Sequence, residues 1–215
     1  MSPTLLHRLE FLSSDCIPQL IAGLLICEAA LLAVSSHSLA MLVFLAQRSI
    51  VTVLMWPTIG LLLARMNAVA LGTIAVVYGI TVWRLRHAAK GAVDRPGPLG
   101  SVAFRLLAAS FGVLVVHSFV GQYSFDVLPF GITFVIASLT INGLLVILVG
   151  GGGLRAGLGV LMLADVARLL YAFSGPDALV WALWNVCDVL VALVASHLHS
   201  VQVLASKDSP KEARG

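Results

Sequence analysis

Five charged residues in this sequence are embedded in apolar runs. Asp165 and Arg168 lie three apart in LMLADVARLL, Asp188 sits in NVCDVLVAL, and Glu28 and Arg48 occupy LLICEAALL and LAQRSIV. His117, in VLVVHSFV, adds a sixth titratable group. A spacing of three puts Asp165 and Arg168 on one face of a helix, close enough to pair. A carboxylate beside a guanidinium in apolar surroundings is suited to exchanging a proton, and equally to serving as an ion pair that helps helices pack. Asp188 has no base in its own segment until His197, which favours the proton-exchange reading for it. Glu28 and Arg48 flank the tetrapeptide SSHS, so they are expected to meet across a hairpin and neutralise each other. His117 would be a proton relay or make a local hydrogen bond. His197 and His199 are expected to reach out of a helix end toward the interface.

Other chemistries lack support. Cys16, Cys27 and Cys187 are scattered, without CxxC or Cys/His ligand spacing, so neither a disulfide framework nor a metal site is indicated. The glycine run at 150–153 has no following Lys-Ser/Thr and reads as a tight turn rather than a phosphate loop. With nucleophile-elbow, Ser-x-x-Lys and zinc-protease signatures absent, no catalytic residue and no cofactor are expected.

Composition decides what kind of element must hold these charges. Of 215 residues, 60% are hydrophobic and 11% charged, with a mean hydropathy of +1.02, against about 25% charged in soluble chains. The shortfall runs the length of the chain. It excludes a soluble enzyme on one anchor, a nucleotide-binding sheet and a nucleic-acid module. The net charge of +3 comes from loops between apolar runs and reads as a topology signal.

An all-α polytopic membrane protein is therefore expected, its partner the lipid bilayer and not nucleic acid. About seven transmembrane helices are read at 17–35, 39–63, 67–84, 102–121, 128–149, 155–173 and 178–198, each near the roughly 20 residues that cross a bilayer core. SSHS at 35–38 and ARMN at 64–67 are expected as turns, and Pro57 as a kink that does not end its helix. The chain divides into a three-helix N-terminal half with its basic linker (1–101), a connecting helix (102–127), a three-helix unit (128–199) and a tail (200–215). Two helices joined by a small-residue turn and followed by a third occur in both halves, which raises an internal three-helix repeat. Asp165, about nine residues before the turn at 174–177, and Asp188, about eleven after it, lie roughly 14 to 17 Å deep. They share a layer near the midplane.

The basic residues fall on one side. His37, the cluster Arg84, Arg86, Lys90 and Arg95, then Arg155, Lys207, Lys211 and Arg214 occupy alternate loops, against Arg8 and Arg65 opposite, with Asp126 and Asp177. The positive-inside rule puts the N-terminus outside and the C-terminus in the cytoplasm. The start MSPTLLHRLEFLSSDC lacks the pattern of a removable signal peptide.

From Gly131 to Gln202 the chain reads GITFVIASLTINGLLVILVGGGGLRAGLGVLMLADVARLLYAF, a short loop, then ALWNVCDVLVALVASHLHSVQ. This resembles the three-helix chain K of NADH-quinone oxidoreductase and its relatives in multisubunit sodium/proton antiporters, where the second and third helices each carry a buried acid. The whole chain, with LIAGLLICEAALLAVSSHSLAMLVFLAQRSIVTVL in its N-terminal half, is similar to component E of hydrogenase-4, an extended relative of chain K. Asp188 matches the acid of the family's last helix. Asp165 falls at an Asn position of the relatives, with component E's acid one residue earlier and chain K's one turn earlier, at Leu161. Arg168 takes a His position of component E.

The resemblance implies a non-catalytic, proton-conducting or coupling subunit of a hydrogenase-4, formate hydrogenlyase or complex-I-related assembly in a bacterial or archaeal inner membrane. Its implied partners are antiporter-like and chain-H-like membrane subunits and a peripheral iron-sulfur hydrogenase arm. A free-standing secondary transporter and a purely structural membrane-arm subunit are the alternatives. Under the leading reading, Asp188→Asn should abolish coupling without preventing assembly, and Asp165→Asn should be harder on stability because it leaves Arg168 unpaired.

Overall fold

The computed structural model describes residues 16–34, 36–88, 102–122, 128, 130–150 and 152–208. Among these residues the regular elements are six helices: α1 (Cys16–Ala33), α2 (His37–Ala88), α3 (Val102–Gln122), α4 (Phe130–Val149), α5 (Gly153–Phe173) and α6 (Ala178–Asp208). Most of the basic linker, the loop carrying Asp126 and the end of the tail lie outside the described residues, and with them Lys90, Arg95, Lys211 and Arg214 of the topology argument.

These helices are apolar on nearly all sides, the pattern of a segment surrounded by hydrocarbon or protein rather than lying at a water interface. In hydrocarbon a helix satisfies its own backbone hydrogen bonds, which is why such sequences fold this way. Four stretches are long and apolar enough to cross a membrane: His37–Arg84, Phe130–Val149, Gly153–Phe173 and Ala178–Val203. The outer surface agrees, since Val69, Leu107, Leu148 and Leu179 are each more than two-thirds exposed. A surface this apolar marks a membrane protein.

The second helix departs from expectation. Its 52 residues would extend about 78 Å if straight, well beyond one bilayer. It is interrupted at Gly60, whose φ of 75° and ψ of 176° belong to a region that side-chain-bearing residues avoid. Contacts with α6 show what the break does. Along the first arm His37 packs on His199 and Arg48 pairs with Asp188, so numbers rise on α2 as they fall on α6. Along the second arm Asn67 meets Trp181, and Tyr78 lies beside Gly157, which itself abuts Ala195. The chain therefore doubles back at Gly60.

The turn expected at 64–67 is corrected by this. ARMN is helical, and the reversal lies three residues after Pro57, where the missing N–H and the ring have already weakened the helix. Asn67 read as a turn residue, but it is buried and accepts a hydrogen bond from Trp181 Nε1 at 3.1 Å.

Side chains tie the helix ends. Asp177 Oδ1 accepts from the amides of Leu179 at 2.7 Å and Val180 at 3.3 Å, an N-cap for α6. Gln202 Oε1 accepts from the Gly153 amide at 2.9 Å at the start of α5. Arg155, counted above as a loop charge, is buried and donates to the Val34 carbonyl just past α1, where a cation suits the helix C-terminus. The α4–α5 pair approaches to backbone contact. A Cβ added at Gly159 would lie 2.6 Å from the Gly143 carbonyl oxygen, the kind of approach that small residues allow between membrane helices. Helix α3 lies at the periphery along α1 and α4, while both α2 and α5 pack on α6.

Candidate functional site

Where α2, α5 and α6 meet, four charged side chains converge. Arg48 Nη2 donates to Asp188 Oδ2, and its Nε lies 3.5 Å from Asp165 Oδ1. Arg168 Nη1 is 3.3 Å from the same Asp165 oxygen, and its Nη2 is 2.5 Å from Asp188 Oδ2. Each arginine touches both aspartates and each aspartate both arginines. The result is a closed ring of alternating sign, with all four side chains at most 3% exposed.

Helical spacing builds this ring. Asp165 and Arg168 are brought together by their i,i+3 relation on α5. Asp188 joins because α5 and α6 form a hairpin with its turn at 174–177. Arg48 enters because the first arm of α2 runs antiparallel to α6. Counted from the helix starts at 1.5 Å per residue, Arg48, Asp165 and Asp188 lie about 15 to 18 Å in, at one depth.

One sequence expectation is corrected here. Arg48 turns to the aspartates of α5 and α6, not to Glu28, because its face of α2 packs toward those helices. Asp188, with no base in its own helix until His197, is reached by two guanidinium groups from other helices.

Glu28 forms a second, separate polar site. It is 1% exposed, and its Oε2 accepts hydrogen bonds from Ser138 Oγ and from Asn142 Nδ2, the latter at 2.7 Å. Its other oxygen has no hydrogen-bond partner among the described residues. No cation pairs with it there. Ser138 and Asn142 were overlooked in the sequence, although two polar residues four apart in the apolar ASLTING segment mark one polar stripe on a helix.

The histidines divide. His117 lies exposed on the outer face of α3, apart from the buried charges. His197 is exposed as expected, but His199 is 7% exposed and packs edge-on against His37, ring centres 4.6 Å apart. It does not reach outward, because the start of α2 covers it. Among the described residues no group of three or more His, Cys, Asp or Glu side chains could hold a metal ion, and Cys27 and Cys187 are free thiols.

The chain matches no family model, no curated protein and no solved structure. The arrangement can be described chemically all the same. The ring is electroneutral when fully ionised, and adding or removing one proton leaves it with a net charge. Arg48 Nη1, Asp165 Oδ2 and Arg168 Nε have no hydrogen-bond partner among the described residues, so the ring retains capacity for water.

Proposed function

We propose that this chain is a membrane subunit of a larger respiratory or hydrogenase-type complex, contributing to proton coupling through its buried carboxylates. The observation that carries the reading is the pairing of two unlike sites in one apolar bundle: a neutral ring at mid-depth, and Glu28, a fully buried acid with hydrogen-bond donors but no cation among the described residues. An ionisable residue this deep in a membrane helix is by default functional. The resemblance of 131–202 to chain K, and of the chain to component E of hydrogenase-4, directs the reading to a coupling subunit with no redox centre of its own. The cytoplasmic placement of the 84–101 linker and of the tail belongs to the same proposal.

The proposal includes seven crossings, the two arms of α2 counting separately, and a parallel repeat relating α1 and the two arms of α2 to α4, α5 and α6. Equivalent positions meet. Glu28, twelve residues into α1, is hydrogen-bonded to Asn142, twelve residues into α4. Arg48, eleven residues into α2, pairs with Asp165, twelve into α5. Such contacts support two units related by an axis normal to the membrane.

One observation favours a second reading. Every charge in the ring is compensated, as a purely structural device for packing three helices would require. Proton translocation by the assembled complex separates the two. Glu28→Gln and Asp188→Asn should each assemble, Glu28→Gln losing most translocation. Normal translocation in both assembled variants would leave only the structural reading.

A further inference from the structure

Away from the ring, the second arm of α2 and the outer face of α6 enclose an open apolar groove of about 500 Å³. It runs from Leu62, next to the Gly60 break, down to Thr73 on α2 and Leu190 on α6, about 16 Å of helix. Thr73 directs its hydroxyl to the Val69 carbonyl at 3.0 Å, so the groove offers two other polar side chains, Arg65 and Asn185. Arg65 is exposed at the shallow end, and no carboxylate among the described residues pairs with it. Asn185 is 8% exposed, and neither its amide nitrogen nor its oxygen has a hydrogen-bond partner among the described residues. Leaving such a group unpaired is unfavourable, and a ligand that pairs with it removes that penalty. A cation at the mouth, an unsatisfied amide below it and an apolar trough beyond form a graded site.

We infer that this groove binds one acyl chain of an anionic phospholipid, with the phosphate on Arg65 and the ester region within reach of Asn185. The lining argues for a lipid, since one exposed cation stands at the end of an otherwise apolar trough that also holds a buried, unpaired amide. The sign of the headgroup follows from Arg65, whose planar guanidinium suits phosphate. An ester carbonyl can accept from the Asn185 amide, which an alkyl chain cannot do. This inference requires the chain to lie in a bilayer and is independent of proton coupling.

Native mass spectrometry of the full chain in mild detergent, titrated with phosphatidylglycerol or with phosphatidylcholine of the same acyl chains, tests it. One phosphatidylglycerol should be retained in preference to phosphatidylcholine. Arg65→Gln should weaken phosphatidylglycerol binding about fivefold, the effect of one basic residue at the membrane surface, and leave phosphatidylcholine unchanged. Ala182→Phe, which fills the trough, should weaken both lipids. Val69→Trp, at a position 71% exposed, fills the rim without touching the core and should do the same if Ala182→Phe fails to fold. Equal binding of the two lipids, or no response to Arg65→Gln, overturns the headgroup assignment. Full retention of phosphatidylglycerol in a folded filling variant overturns the site itself.

Discussion

Replacing Arg48 by methionine tests whether the four buried charges act as one unit. Arg48 reaches both aspartates, and without it Arg168 alone faces two carboxylates. The 3.5 Å contact to Asp165 is worth about 5 kcal/mol at an effective dielectric near 20, in line with the roughly 3–5 kcal/mol lost when one partner of a buried pair is removed. Arg48→Met is thus expected to cost about 4 kcal/mol, and Asp188→Asn alone a similar amount because it leaves one cation in excess. The double variant retains the Asp165–Arg168 pair and is neutral. It should therefore be more stable than either single variant. At roughly 2–4 °C per kcal/mol for a chain of this size, each single variant should lower the thermal midpoint by about 8–16 °C and the double by less than half of that. Thermal unfolding in mild detergent, followed by helical circular dichroism, reads all four proteins. A double variant less stable than both singles would refute the ring as a unit.

Other positions give sharper local tests. Gly159→Ala places a methyl 2.6 Å from the Gly143 carbonyl oxygen and should cost about 1–3 kcal/mol by forcing α4 and α5 apart; an unchanged midpoint would mean the helices do not touch there. Gly60→Ala meets nothing within 4 Å, so its expected loss of about 1–2 kcal/mol is conformational alone, and a neutral result in the same melt would deny the left-handed break. For topology, reporter fusions at Gly91 and at the C-terminus should both report the cytoplasmic side, and opposite signals would show an odd number of crossings between them.

The helices and the ring were unequally legible in the sequence. Apolar runs set five of the six helices to within a few residues at most boundaries, the extended end of α6 apart, because in a membrane the length of an apolar segment is itself the signal. The turn in α2 was misread because Arg65 and Asn67 look like loop residues, while a lone glycine after a proline resembles a mere kink. The Asp165–Arg168 pair was readable from spacing, and the shared depth of Asp165 and Asp188 from counting back to a turn. Arg48 was not assignable to that pair, since it lies 140 residues from Asp188 in the chain and only the packing of α2 on α6 joins them. The same packing changes the forecast for Asp165→Asn. Arg168 would keep Asp188, so this variant should be milder on stability than Asp188→Asn, which removes the shorter contacts to both arginines.

The charge arithmetic of the two sites separates their roles. Two arginines and two aspartates sum to zero without any proton being bound, so the ring can sit in hydrocarbon fully ionised, each member offsetting its neighbours at 3.5 Å or less. Among the described residues Glu28 meets only hydroxyl and amide donors, on one oxygen, and with these neighbours its pocket is neutral only with a proton on the carboxyl. A charge that comes and goes is therefore best carried by Glu28, with the ring as a fixed arrangement of dipoles that any such change must work against. Glu28 also lies about 8 Å from the end of α1 beside His37, nearer that face than the ring. A proton entering from that side would meet Glu28 first and the balanced ring afterwards.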